Sequence, residues 1–95
     1  MSKPVLVVNP SSGGGKTGKT FGAMRETIER RLGPCDVRET ARVGHAIELA
    51  RDAALGGAKL VVAVGGGGTF NEDVNGLMSA REEGAEAEPG LIAQG

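Results

Sequence analysis

Two glycine-rich stretches hold most of the chemistry this sequence offers. "NPSSGGGK" occupies residues 9–16 and "GGGGTFNE" residues 65–72. Glycine lets a backbone approach a phosphate closely, and the free N–H groups at a helix start attract anions. A third segment, "TARVGH" at 40–45, carries a threonine and the chain's one histidine. The ligand these loops suit is a nucleotide or another phosphate ester. The competing reading is that the glycines only permit tight turns, although short turns rarely need four in succession.

From Gly13 the first stretch also satisfies the phosphate-loop pattern G-x-x-x-x-G-K-[ST], with Gly18, Lys19 and Thr20 completing it. The surroundings disagree with that match. A true phosphate loop turns close behind its strand, whereas "NPSS" intervenes here. Such loops are also accompanied by an acidic residue at the end of a second apolar strand, to help hold magnesium. "LVVAV" instead runs into Gly65, with no carboxylate before Glu72. The match reads as a product of a Gly/Lys/Thr-rich stretch. Lys16 and Lys19 either steer phosphate or are solvated loop lysines.

The elements that must position these loops follow from periodicity. "VLVV" at 5–8 is apolar without alternation, the mark of a strand buried on both faces. Phe21, Met24, Ile28 and Leu32 recur at helical spacing, and Gly33-Pro34 stops that helix. "CDVRET" reads as a shorter, more polar strand near an edge. Ile47, Ala50 and Ala54, flanked by Leu49 and Ala53, outline a second helix ending at Gly56-Gly57. "KLVVAV" at 59–64 is a second apolar strand. Thr69 and Glu72 have the spacing of a capping box for a third helix, whose apolar face is Phe70, Val74, Leu77 and Met78. "REEGAEAEPG" reads as an acidic surface loop and "LIA" at 91–93 as a fourth strand. The order β-α-β-α-β-α-β predicts an α/β fold with a parallel sheet. In such sheets ligands bind beyond the carboxyl ends of the strands, where all three loops fall.

Composition narrows the function classes. Seventeen of the 95 residues are glycine, clustered between apolar runs, more than twice the usual ~7%. Eleven basic against twelve acidic residues, for a net charge of −1, remove the electrostatic case for nucleic acid. Two Phe with no Trp or Tyr leave no base-stacking platform. The single cysteine, Cys35, fits a reducing compartment and reads as half-buried packing. No run is long and apolar enough for a signal peptide or a membrane span, so the expectation is a cytoplasmic protein with at most peripheral membrane contact. Met24 and Met78 read as core residues, and His45 as a first-turn helix residue.

Three segments taken together resemble the diacylglycerol kinase-like lipid kinases, a family related to sphingosine kinases and more distantly to NAD kinases. "VLVVNPSSGGGK" looks like that family's first strand and N-P-x-S-G loop. "RETARVGHAIELA" is similar to its second strand, threonine and G-H-A helix start. "VAVGGGGTFNEDVNGL" resembles the hallmark G-G-D-G-T-x-N-E-V-x-N-G, and "PGLIAQG" the start of L-G-I-x-P-x-G-T-x-N-D-F. The resemblance covers the whole chain in order. It implies a three-layer, Rossmann-like nucleotide-binding lobe, with residues 1–95 forming the amino-terminal part of a catalytic domain whose second, β-rich part is absent. It also implies ATP contacts from Asn9, Pro10, Ser11, Ser12 and Gly13, from Thr40, and from Gly66, Gly67, Gly68, Thr69, Phe70, Asn71 and Glu72. The implied reaction is transfer of the ATP γ-phosphoryl group to a lipid hydroxyl such as that of diacylglycerol, with Mg²⁺ offsetting phosphate charge.

Two departures qualify that implication. Gly67 stands where the family has Asp, and loss of such a carboxyl commonly costs ~10²–10⁴ in rate. Asp73 stands where the family has an apolar residue. In that family the catalytic carboxylate and magnesium ligands lie in the later domain, so this chain alone is expected to be inactive, with no metal ligand and with its catalytic residues left unassigned. An unfinished sheet edge is expected to allow self-association. The rival readings are an NAD kinase relative and a non-catalytic nucleotide-binding module.

Overall fold

The computed structural model describes residues 3–93. Seven elements alternate along it: β1 (Val5–Val8), α1 (Lys16–Leu32), β2 (Asp36–Glu39), α2 (His45–Leu55), β3 (Leu60–Gly65), α3 (Gly67–Arg81) and β4 (Glu88–Ala93). The four strands form one parallel sheet in the order β2-β1-β3-β4. β1 sits inside, with Val5 opposite Asp36 on one side and Val61 on the other. β2 lies at an edge, as its polar sequence predicts.

Alternation along the two central strands sends their side chains into two separate cores. Leu6, Val8, Val62 and Val64 meet α1 through Ile28, with Phe21 and Met24 packed against them. Val5, Val7 and Val61 meet α2 and α3 through Ala46, Ala50, Ala53, Ala54, Leu77 and Ala80. The result is three layers, helix on sheet on helix, as an apolar strand run with no alternation requires. Fully buried aliphatic side chains such as Leu6 and Val8 each contribute about 1.5–3 kcal/mol of hydrophobic stabilisation.

The alanine stripe of α2 lets α3 come unusually near. A Cβ added at Gly76 would collide with the Ile47 carbonyl oxygen and reach 2.9 Å from the Ala50 Cβ. Glycine in mid-helix ordinarily weakens a helix, and here it is the condition for the packing. Arg51 ties the same two helices on their outer side through Ser79 Oγ and Glu83.

Several expectations are corrected. α1 starts at Lys16 rather than near Phe21, so the G-K-T triplet is helical, and Leu32 is partly exposed. α3 starts at Gly67 with Gly66 as its N-cap and no side-chain cap bond, so Thr69 and Glu72 form no capping box. Thr69 is already inside the first turn, too late in the helix to cap it. The buried face of α3 is Thr69, Asp73, Gly76, Leu77 and Ala80, and Met78 is 61% exposed rather than core. The close seat at Gly76 sets that rotation. β4 begins at Glu88, inside the stretch read as an acidic loop, because Glu88 to Ala93 pair with Leu60 to Gly65. Cys35 is buried rather than half-buried, and burial pushes its thiol up from the ordinary value. Gln94 and Gly95, at the end of the "PGLIAQG" resemblance, lie outside the described residues.

Candidate functional site

The strand order puts a crevice where chemistry is expected. The chain leaves β1 toward β2 on one side and returns to β3 on the other, so the connections diverge at the carboxyl ends of β1 and β3. Asn9 and the serine-glycine loop follow β1, Gly66 follows β3, and Thr40 follows β2. Hydrogen bonds extend the sheet by one residue into these loops: Asn9 N–H donates to the Val64 carbonyl at 3.1 Å and Thr40 N–H to the Val8 carbonyl at 2.8 Å. The loops therefore start from a rigid base.

A cleft of ≈ 260 Å³ opens there, lined by Asn9, Ser11, Thr40, Ala41, Arg42, Val43, Ala46, Thr69 and Glu72. Five of the sequence candidates, Asn9, Ser11, Thr40, Thr69 and Glu72, thus share one wall system despite coming from two loops and the start of α3. Pocket volumes for whole small molecules run ~300–1,000 Å³, so this cleft accommodates part of a nucleotide. Asn9 joins its parts. Its Oδ1 accepts the Ser11 N–H at 3.0 Å, folding the loop back, and its Nδ2 donates to Thr69 Oγ1 at 3.4 Å, linking the loop to α3.

The other candidates surround the cleft without lining it. Ser12 lies against Gly65, where its Oγ would be 3.3 Å from an added Cβ. Gly65 has φ +152°, and Thr69 Oγ1 would be 3.1 Å from the same Cβ, so glycine is required for close approach. Gly66, Gly67 and Gly68 open α3, whose first turn carries neither a side-chain cap bond nor an acidic side chain. That end keeps its partial positive charge free for an anion. Gly67 is exposed with nothing within 4 Å of an added Cβ. Pro10, Gly13, Phe70 and Asn71 do not line the cleft, and Pro10 packs against Gly18 of α1.

The phosphate-loop match has a different job. Amides of Gly15, Lys16, Thr17, Gly18 and Lys19 donate to the carbonyls of Ser11, Gly13, Ser12, Pro10 and Gly15. They are spent inside the loop and cannot cradle a phosphate in this conformation. Gly18 is there for packing: a Cβ would stand 2.9 Å from the Pro10 carbonyl oxygen. Lys16 and Lys19 are exposed and do not line the cleft.

Arg42, Ala41, Val43 and Ala46 were not among the sequence candidates. Arg42 brings a cation to the cleft and pairs with Glu48, whose carboxyl it holds below the ordinary value through a hydrogen bond. Glu72 brings a carboxylate, which suits a hydroxyl or amine group better than a phosphate. His45 heads α2, and its Nδ1 accepts the Ala41 N–H at 2.8 Å, closing the 41–45 turn. Among the described residues no group of three His, Cys, Asp or Glu side chains is placed to cage a metal. No helix there is long and apolar enough to cross a membrane.

Comparison with known proteins agrees with this fold. Two solved structures from Bacillus anthracis str. Sterne, one titled a diacylglycerol kinase and the other assigned that activity by inference, superpose with TM-scores of 0.80 and 0.81 at 24% identity. Each comparison covers 98% of this chain and 33% or 32% of the solved one. Sphingoid long-chain bases kinase 1 of Arabidopsis thaliana is 34% identical over 97 residues, covering 98% of this chain and 13% of that protein. The chain therefore spans about a third of the solved structures and a smaller part of the plant kinase. Residues 3–95 match the diacylglycerol kinase catalytic domain, and the chain belongs to that family of lipid kinases.

Proposed function

We propose that this chain is the nucleotide-binding lobe of a lipid kinase that moves the ATP γ-phosphoryl group to a lipid hydroxyl. The observation that carries the reading is the convergence of Asn9, Ser11, Thr40, Thr69 and Glu72 on one cleft beside the uncapped start of α3. In it the phosphates lie against the α3 amino terminus, with Arg42 as a cation in the cleft wall, and Thr40, Asn9 and Glu72 meet the polar groups of the nucleoside. The loop of residues 9–13 and the turn of 66–69 form the rim around the phosphate chain. Diacylglycerol and sphingoid bases are the lipid classes named for the relatives, and both offer a hydroxyl. Mg²⁺ would enter with the nucleotide and offset the charge on its phosphates.

A non-catalytic nucleotide-binding role is the second reading, favoured by Gly67, which offers no carboxylate at the mouth of the cleft. Titration of the chain with Mg-ATP, followed by amide NMR beside a Gly67→Asp variant, tests both. Shifts concentrated at residues 9–13, 40–43 and 66–72 are expected. Absence of shifts from a folded chain and from its variant would remove the nucleotide reading. Phosphorylation of diacylglycerol by the full-length protein that contains this chain separates kinase from binding module.

A further inference from the structure

Asp73 is used by nothing described so far. It lies on the buried face of α3, four residues after Thr69 and three before Gly76, with 0% exposure. Neither carboxyl oxygen has a hydrogen-bond partner. An ionised carboxylate in such a place is costly, and the ordinary response is to keep the proton. Burial accordingly pushes this carboxyl from 3.8 up to about 7.

No charge offsets that burial. α2, the helix packed hardest against α3, carries His45, Glu48, Arg51 and Asp52. Arg51 is engaged by Ser79 and Glu83, Glu48 by Arg42, and His45 by the Ala41 amide. β3 has no titratable side chain, β4 has Glu88, and α3 itself adds Glu72 and Arg81. Burial alone accounts for the shift, so none of these groups acts on Asp73 appreciably.

We infer that Asp73 is a proton-linked positioning residue for the cleft: neutral, it lets α3 sit on α2, and ionised it drives α3 off that seat, carrying Thr69 and Glu72 away from Thr40 and Ala46. The proton passes to water as the carboxylate reaches solvent. The seat is the close contact at Gly76, one turn further along the same buried face as Asp73. The effect on ligand binding rests on the nucleotide reading above; the movement of α3 does not. Seated and unseated forms differ in proton affinity, so the unseating constant rises up to about tenfold per pH unit above 3.8 and levels off above about 7.

Amide hydrogen exchange of the chain and of Asp73→Asn and Asp73→Leu variants, from pH 5 to 8 and corrected for intrinsic rates, tests this. In the native sequence α3 protection should fall on the order of 10²-fold between pH 5 and 7. At pH 7 and above it should lie at least tenfold below that of β1, marking an opening separate from global unfolding. Both variants should lose the pH dependence. A flat native profile, equal protection of α3 and β1 at every pH, or an Asn variant that keeps the native slope would each overturn the inference. The native profile decides even if a variant fails to fold. Mg-ATP affinity should weaken in the native chain by the factor one plus the unseating constant that exchange reports, and stay level in the variants. Failure of Mg-ATP to bind at any pH would overturn the nucleotide reading alone, since exchange judges Asp73 independently.

Discussion

At the scale of single residues, glycines in this chain do opposite things. Gly67 meets nothing, so Asp there enters open space at the first position of α3. Better helix propensity and an acid at a positive helix end should together add about 0.5–1 kcal/mol. For a domain this size that is a rise of roughly 2–8 °C in Tm by calorimetry. Gly18 is the reverse. Its Cβ would press on the Pro10 backbone, so Gly18→Ala should cost about 1–3 kcal/mol in a denaturant titration. Lys19→Ala, which removes an exposed side chain from the phosphate-loop match, should change stability by less than about 0.5 kcal/mol. It should also leave Mg-ATP affinity unchanged, because the cleft is elsewhere.

At the scale of elements, the α2–α3 contact sets the position of the cleft wall. Gly76→Ala forces the two helices apart and should destabilise by about 1–3 kcal/mol or more, read as a lowered denaturation midpoint. Met78→Lys, on the exposed side of the same helix, should stay within about 0.5 kcal/mol of the native chain. The sequence reading anticipates the element order, the buried strands and the edge position of β2, because continuous apolar runs and stop signals are local. Asn9, Ser11, Thr40, Thr69 and Glu72, which the family resemblance implies as contacts, line one cleft because the segments that carry them leave the same end of the sheet. The sequence reading misplaces most of the buried face of α3, where apolar spacing favours Phe70, Val74, Leu77 and Met78 and only Leu77 of these is buried. What settles that face is the approach to α2 permitted by Gly76 and the alanines, a nonlocal fact. Arg42 escaped for a related reason: its place in the cleft depends on how the 40–45 turn folds.

For the molecule as a whole, one buried acid tilts stability with pH. Asp73 has its pKa raised on folding, so the folded chain holds more protons than the unfolded chain between 3.8 and about 7. Stability therefore falls as pH rises through that window, by on the order of 4 kcal/mol across it. Domains are stable by only about 5–15 kcal/mol, so this is a large share. Glu48 acts in the opposite sense, since its carboxyl is held low and its contribution is lost only as pH falls below the ordinary range. Urea titrations at pH 5 and pH 8 should find the native chain more stable at the lower value, and Asp73→Leu should abolish the difference. The turn that heads α2 offers a way to watch the cleft itself. His45 is the chain's sole imidazole, and its Nδ1 is committed to accepting the Ala41 amide. A neutral ring so held must carry its hydrogen on Nε2. Its tautomeric state is therefore a built-in gauge of the 41–45 turn, and ring ¹⁵N resonances would register any ligand that draws Arg42 and Val43 inward.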